Sequence, residues 1–211
     1  MKFRPTDRML QLGVTPTLTN FVKEAYPGTS ASLWQRNAKA AHRRALEAAD
    51  EIPGDGPFAR QAHLFVSLAA LLLGFHSCAP QEVDFDEATF GRMVDAALAT
   101  PIFAMLFGGA QPFSDDGVRE LYDLLAAGAA SAARGQWAGA LAREGGPDGA
   151  LAFDVARCGL MQLCVQEKRL YLLKYLCRVE DAAAALAGCS LVRDACIACG
   201  SQRCAIRCTR G

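Results

Sequence analysis

Apolar residues recur along most of this chain at steps of three and four, the spacing of one face of an α-helix. β-branched residues are sparse beside alanine and leucine, so helices are expected to dominate. Residues 1–16, with Pro5 and Pro16, read as an irregular lead-in, and a short helix is expected from Thr17 to Tyr26, stopped by Pro27-Gly28. The next helix starts near Ser30 or Ser32 and runs to Ile52. Its stripe is Trp34, Ala38, Ala41, Ala45, Ala48 and Ile52, ahead of a Pro53–Pro57 break. Phe58 to Phe75 becomes apolar all round from Leu64, which predicts a central helix. Asp84 or Asp86 caps a helix through Ala99, and Thr100-Pro101 ends it and starts a short one over Ile102–Phe107. A further helix is expected from Ser114, with Val118, Leu121, Tyr122 and Leu125 buried. A turn at Gly135, a short segment around Trp137 and a loop at 145–149 follow. From Ala150 the period is again helical to a stop at Gly188, with Gly159 a point of division. The fold class expected is therefore all-α, one helical bundle over 1–188 followed by a short cysteine-rich tail over 189–211.

Composition narrows this picture. At 211 residues the chain can bury one good core, and 52% hydrophobic with 21% charged residues is a globular balance. The 22 basic and 22 acidic residues cancel, so wholesale phosphate binding by the body is not expected. The tail differs locally, because Arg193, Arg203, Arg207 and Arg210 against Asp194 leave a charge of +3. In the second helix Arg36, Lys39, Arg43 and Arg44 come early and Glu47, Asp50 and Glu51 late, the wrong order for the helix dipole. Those charges are either kept for a partner or form a solvated face with an Arg43–Glu47 pair. The longest apolar run, Leu64–Phe75, is shorter than the ~20 residues that cross a bilayer, so no membrane span is expected. The opening Met-Lys-Phe-Arg-Pro has no secretory h-region, which points to an intracellular, reducing setting.

Catalytic signatures are missing: no phosphate-binding loop, no nucleophile elbow and no metalloprotease helix. His42, His63 and His76 are scattered, His76 and Cys78 are merely near in sequence, and Asp84, Asp86 and Glu87 suit a helix start. A non-enzymatic protein is expected.

The tail holds Cys196, Cys199, Cys204 and Cys208, four of nine cysteines. Four thiolates at short spacing can surround one tetrahedral zinc, and a segment this small needs something covalent or metallic to order it. Cys-x2-Cys-Gly resembles the first half of a retroviral-type zinc knuckle, with Cys204 in the histidine's place and no base-stacking aromatic. The resemblance supports one structural zinc more than RNA. Disulfide pairing and unpaired thiols remain open beside it. Cys158, Cys164, Cys177 and Cys189 read as core cysteines, Cys189 being able to replace one tail ligand.

Phe85-Asp86-Glu87-Ala88-Thr89-Phe90-Gly91-Arg92-Met93-Val94 resembles the first homology motif of the Bcl (B-cell lymphoma) family of apoptosis regulators. Ala45–Ile52 resembles a degenerate death motif, Gly135-Gln136-Trp137 the second homology motif, and Leu18–Tyr26 the family's first helix. The chain departs from the family at Phe90, where tryptophan is usual, and at Pro101, which interrupts the central helix. The family's usual carboxy-terminal anchor is not expected here, the cysteine tail standing in that place. The resemblance implies a divergent viral member, cytoplasmic in an infected host cell, that inhibits cell death. It would hold an amphipathic helix of a host pro-apoptotic protein in an apolar groove. Arg92 would pair with the partner's aspartate, Gly91 would permit close approach, and Phe90, Met93 and Val94 would help form the floor. The alternative is a zinc-stabilised helical protein of virion assembly or transcription that uses the basic cysteine tail.

Overall fold

The structure, a computed structural model, describes residues 1–52, 54–108, 117, 119–120, 123, 138–143 and 151–210, with the backbone alone at 138–143, Leu151 and Arg210. Its helices are α1 (Pro5–Ala25), α2 (Ala31–Ala48), α3 (Pro57–Ser77), α4 (Glu87–Leu98), α5 (Pro101–Gly108), α6 (Gly159–Gln166) and α7 (Leu173–Leu186). The strands are β1 (Ala138–Arg143), β2 (Leu151–Arg157), β3 (Cys189–Ala195) and β4 (Cys204–Arg210). They form one antiparallel sheet in the order β1-β2-β4-β3.

The expectation of an all-α fold is thus overturned. The stretch from Ala150, read as helix, begins as β2, where Phe153 and Val155 are buried and the residues between them are not. That is the period of two of a half-buried strand. In β3 the inward positions are Cys189, Leu191, Arg193 and Ala195. In β4 Cys204 and Cys208 are buried, four residues apart on one face. Strand pairing with β2 and packing on α7 therefore order the tail, where a metal or covalent bond had seemed necessary.

The helical half is nearer to expectation. Every residue of α3 from Gln61 to Phe75 is buried, so it is the central element. Among the described residues it is also the one single helix long and apolar enough to cross a membrane, and 94% of that window is buried inside the fold. Asp86 caps α4 by accepting from the Thr89 N–H at 2.7 Å, and Thr100 caps α5 through Phe103 N–H at 3.3 Å. Pro101 opens α5 after a turn of 68° in the helix axis. Helix α7 ends at Gly188, whose φ of 71° lies where only glycine is unstrained.

Three boundaries move. Helix α1 begins at Pro5, not Thr17, and carries Pro16 inside it. The Leu10, Val14, Leu18 and Val22 stripe, all fully buried, outweighs the one backbone hydrogen bond that Pro16 forfeits. Helix α2 stops at Ala48, so the death-motif-like Ala45–Ile52 is not one helix. Gly159 opens α6 after β2, and the carboxy-terminal helices divide at Glu167–Arg169, near Lys168 with φ 55°. Of the helix expected from Ser114, Gly117, Arg119, Glu120 and Asp123 are helical, and the Glu120 carboxylate accepts from Phe58 N–H (2.7 Å) and Ala59 N–H (3.2 Å) at the start of α3. Gly135-Gln136-Trp137 and the 145–149 loop lie outside the described residues.

Helices α2 and α3 approach closely at Gly74, where a Cβ would sit 2.8 Å from the Ala38 carbonyl oxygen. Nearby, Trp34 Nε1–H donates to the Phe75 carbonyl at 2.6 Å. Backbone cannot yield as a flexible side chain does, so Gly74→Val is expected to destabilise the fold by about 2–3 kcal/mol. Urea denaturation measures it, and a change within 0.5 kcal/mol, the usual range of a surface substitution, would show that the helices are not in this contact.

Candidate functional site

Three groups of side chains carry chemistry. The first lies on α4, where Phe90, Gly91, Met93 and Val94 are all buried. Phe90 and Gly91 meet the chain's own α7, while α1 and α3 also pack against α4. A Cβ at Gly91 would meet Tyr175 Cε1 at 2.7 Å, so the bare glycine is what seats that ring. Phe90 meets Tyr175 edge-on at 6.1 Å and His76 edge-on at 5.5 Å. Lys174 pairs with Glu87 at 2.6 Å and Arg178 with Asp95 at 2.8 Å, while both cations lie 5.1 Å from the Tyr175 ring centre. Arg92 points outward, is exposed, and donates to Thr89 Oγ1 at 2.9 Å. It makes no ion pair among the described residues.

The second group joins α1, α2 and α3 and was not anticipated from the sequence. Asp7, His42 and Ser67 are fully buried and His63 nearly so. The Asp7 carboxylate accepts from Arg4 N–H (2.6 Å) and faces His63 Nε2 at 2.9 Å, with Ser67 a further donor. Gln11 Nε2 lies 3.1 Å from His42 Nδ1 and donates also to the Lys39 carbonyl, and His42 Nε2 lies 3.1 Å from Ser67 Oγ. An amide nitrogen only donates and a carboxylate only accepts. The direction of every bond follows: Gln11 to His42 Nδ1, His42 Nε2–H to Ser67, Ser67 O–H to Asp7, and His63 Nε2–H to Asp7. His63 Nδ1 has no hydrogen-bond partner among the described residues. Burial would raise the Asp7 pKa, but the donors His63, Ser67 and Arg4 outweigh it and hold it below the ordinary 3.8. Burial pushes His42 down to about 4 against the pull of Asp7, and His76 likewise to about 4, helped by the Arg169 charge. In this arrangement His42 Nε2 already carries the hydrogen that Ser67 accepts, so the pair is not a nucleophile with its base, and both side chains are sealed in the core. The sequence signal was His63 and Ser67, four apart on an otherwise apolar helix.

The third group is made of thiols. Of the four tail cysteines expected to hold zinc, the structure brings together Cys196 and Cys204, their sulfurs 4.0 Å apart. Cys199 is exposed on the intervening turn. Cys208 lies four residues along β4 from Cys204, ~13 Å at strand rise. Thiolates around one zinc sit about 3.8 Å apart, so Cys208 cannot share an ion with Cys204. No group of three or more metal-ligating side chains is placed to hold an ion among the described residues. The structure therefore brings together two of the four expected cysteines, Cys196 and Cys204.

Instead Cys177, on α7, hydrogen-bonds Cys196. That bond, with help from the Ala198 backbone, Cys204 and the Arg193 charge, holds the Cys196 thiol down to about 5. The same bond and burial push Cys177 up, and burial pushes Cys204 up to about 11. Ile197 N–H also donates to the Cys204 sulfur at 3.3 Å.

The tail's arginines are largely engaged within the chain. Arg193 pairs with Asp181 and, at 2.9 Å, with Glu180; Arg203 reaches Asp154 at 2.9 Å; and Arg207 grips Asp194 with two bonds of 2.7 and 2.8 Å. The local positive charge read from sequence is thus mostly spent on acids of α7, β2 and β3. No protein-family model, curated protein or solved structure matches the chain.

A pH dependence follows from His42. Its folded pKa of about 4 lies below the ordinary 6.5, so the unfolded chain takes up the proton first. Stability is complete above pH 6.5 and falls as pH drops toward 4, by roughly 3 kcal/mol from this residue. His76 acts with the same sign. His42→Asn is expected to flatten the slope between those limits, measured by denaturation at a series of pH values. An unchanged slope would mean that His42 is not held neutral by burial.

Proposed function

We propose that this protein is a non-enzymatic inhibitor of cell death that works by holding an amphipathic helix of a pro-apoptotic partner against α4. The observation that carries the reading is the seating of α7 on that face: an amphipathic helix already packs there, with an aromatic ring where Gly91 lacks a side chain. A glycine bordered by buried apolar residues, with charges at Glu87 and Asp95 on its flanks, is a surface suited to a helix. The Bcl-like motif supplies the class of helix. In this arrangement α7 occupies the seat, and a partner takes it by exchange, while Arg92, exposed and in no ion pair among the described residues, offers its guanidinium fork to the partner's aspartate.

Exchange lowers apparent affinity by the fraction of molecules in which α7 has left. The flanking pairs Lys174–Glu87 and Arg178–Asp95 are substantially exposed and contribute little to holding it. What retains α7 is burial of Leu173, Leu176, Val179, Ala183 and Ala184. The tail is not read as a nucleic-acid-binding element, because Arg193, Arg203 and Arg207 are matched by acids of the same chain.

Isothermal titration with death-motif peptides tests this reading. Arg92→Ala is expected to weaken binding by about 2 kcal/mol or more, with the fold unaltered because Arg92 is exposed. Tyr175→Ala is expected to tighten binding by loosening α7. Absence of binding by the native protein and by Tyr175→Ala at high micromolar peptide would refute it.

A further inference from the structure

The hairpin of β3 and β4 places two thiols at its mouth. Ala195 pairs with Ala205 across the strands, so Cys196 and Cys204 are the next residues along each strand and stand opposite one another. Directly opposite residues on antiparallel strands have Cα atoms about 4.5–5.5 Å apart, within the range a disulfide spans. Their sulfurs are 4.0 Å apart, with the Cys204 S–H directed at the Cys196 sulfur. A third thiol, Cys177, hydrogen-bonds Cys196 from the α7 side. Cys196 is half-buried, open enough for a small oxidant, whereas Cys204 is 7% exposed.

We propose that Cys196 is a peroxide-reactive thiol that closes a reversible disulfide with Cys204. The chemistry has two balanced steps. The Cys196 thiolate attacks one oxygen of hydrogen peroxide, the O–O bond breaks, and the departing hydroxide takes a proton to become water. Cys196 is left as a sulfenic acid. The Cys204 sulfur then attacks the Cys196 sulfur, the S–O bond breaks, and the hydroxyl leaves with the Cys204 proton as a second water. Two thiols are oxidised by two electrons and one peroxide is reduced to two waters.

Several features favour this site over the chain's other thiols. Cys196 is held as a thiolate at neutral pH by donors on two sides and by Arg193, while Cys158 and Cys164 are kept protonated by burial. A resolving thiol is already in contact, so the sulfenic acid need not wait for a second molecule. Forming the bond requires the sulfurs to close from 4.0 Å to about 2.05 Å. Side-chain rotation supplies that movement without displacing either strand. The inference does not depend on helix binding at α4.

The test uses the full chain, reduced, freed of reductant and treated with a small molar excess of hydrogen peroxide at neutral pH. It is then alkylated and digested with trypsin. Cleavage after Arg203 separates Cys196 from Cys204, so the two peptides stay joined only through the disulfide. Because Cys199 shares a peptide with Cys196, the Cys199→Ser variant is mapped in parallel. The expected result is the joined pair in the native protein and in Cys199→Ser, and its loss in Cys196→Ser and Cys204→Ser, with full reversal by dithiothreitol. Cys177→Ser should still give the Cys196–Cys204 link. Full alkylation of both residues after peroxide, or a Cys177–Cys196 link in the native protein, would overturn the proposal. So would one equivalent of bound zinc that protects Cys196 from oxidation.

Discussion

A buried carboxylate ties the helical half of this molecule together. Asp7 sits in the first turn of α1 with no solvent contact, and it is satisfied by Arg4 N–H of its own turn and by His63 and Ser67 of α3. Ser67 in turn receives from His42 of α2, and His42 from Gln11 of α1. The polar chain therefore begins and ends on α1 and crosses both other helices. A charge in an apolar interior is tolerated only when its hydrogen bonds are nearly complete, so the three helices have one arrangement that satisfies Asp7. Apolar packing of α3 supplies the driving force for collapse. The relay selects the register in which collapse occurs.

Local signals were legible in the sequence, and long-range ones were not. Asp86 and Thr100 announce their helices because a capping residue acts on N–H groups two or three positions away. The centrality of α3 is legible in its unbroken apolar run. The start of α1 was missed because Pro16 reads as a breaker, although its stripe of four fully buried residues holds the helix intact around it. The sheet was missed for a different reason. Cys189, Cys204 and Cys208 mark inward strand positions, but Cys204 and Cys208, read as metal ligands, hid the period of two. The Asp7 relay was the least legible, since its acid and imidazole lie 56 residues apart and nothing local links them.

The same contrast applies to the α4 segment and the tail. Phe90 and Gly91, read from the sequence as part of a groove for a partner's helix, lie against Tyr175 of α7 of the same chain, and Arg92 is exposed. Behind α7, Arg193 of β3 clamps Glu180 and Asp181, while Cys177 touches Cys196. Helix α7 is thus held between two chemically different surfaces, an apolar and aromatic one on α4 and a polar, thiol-bearing one on the sheet. Its apolar contacts carry no thiol and do not respond to peroxide, whereas its contact with Cys196 changes when that thiol is oxidised.

Whether the relay holds a charged carboxylate is decided by two opposed effects on Asp7, burial raising its pKa and three donors lowering it. The side-chain carboxyl carbon of Asp7, followed by carbon NMR from pH 7 to pH 5, reports which prevails. A shift that stays at the carboxylate position throughout is the predicted result, since the pKa lies below 3.8. A titration step within that range would mean that burial wins, that Asp7 is protonated near neutrality, and that the helices are not organised around a buried charge.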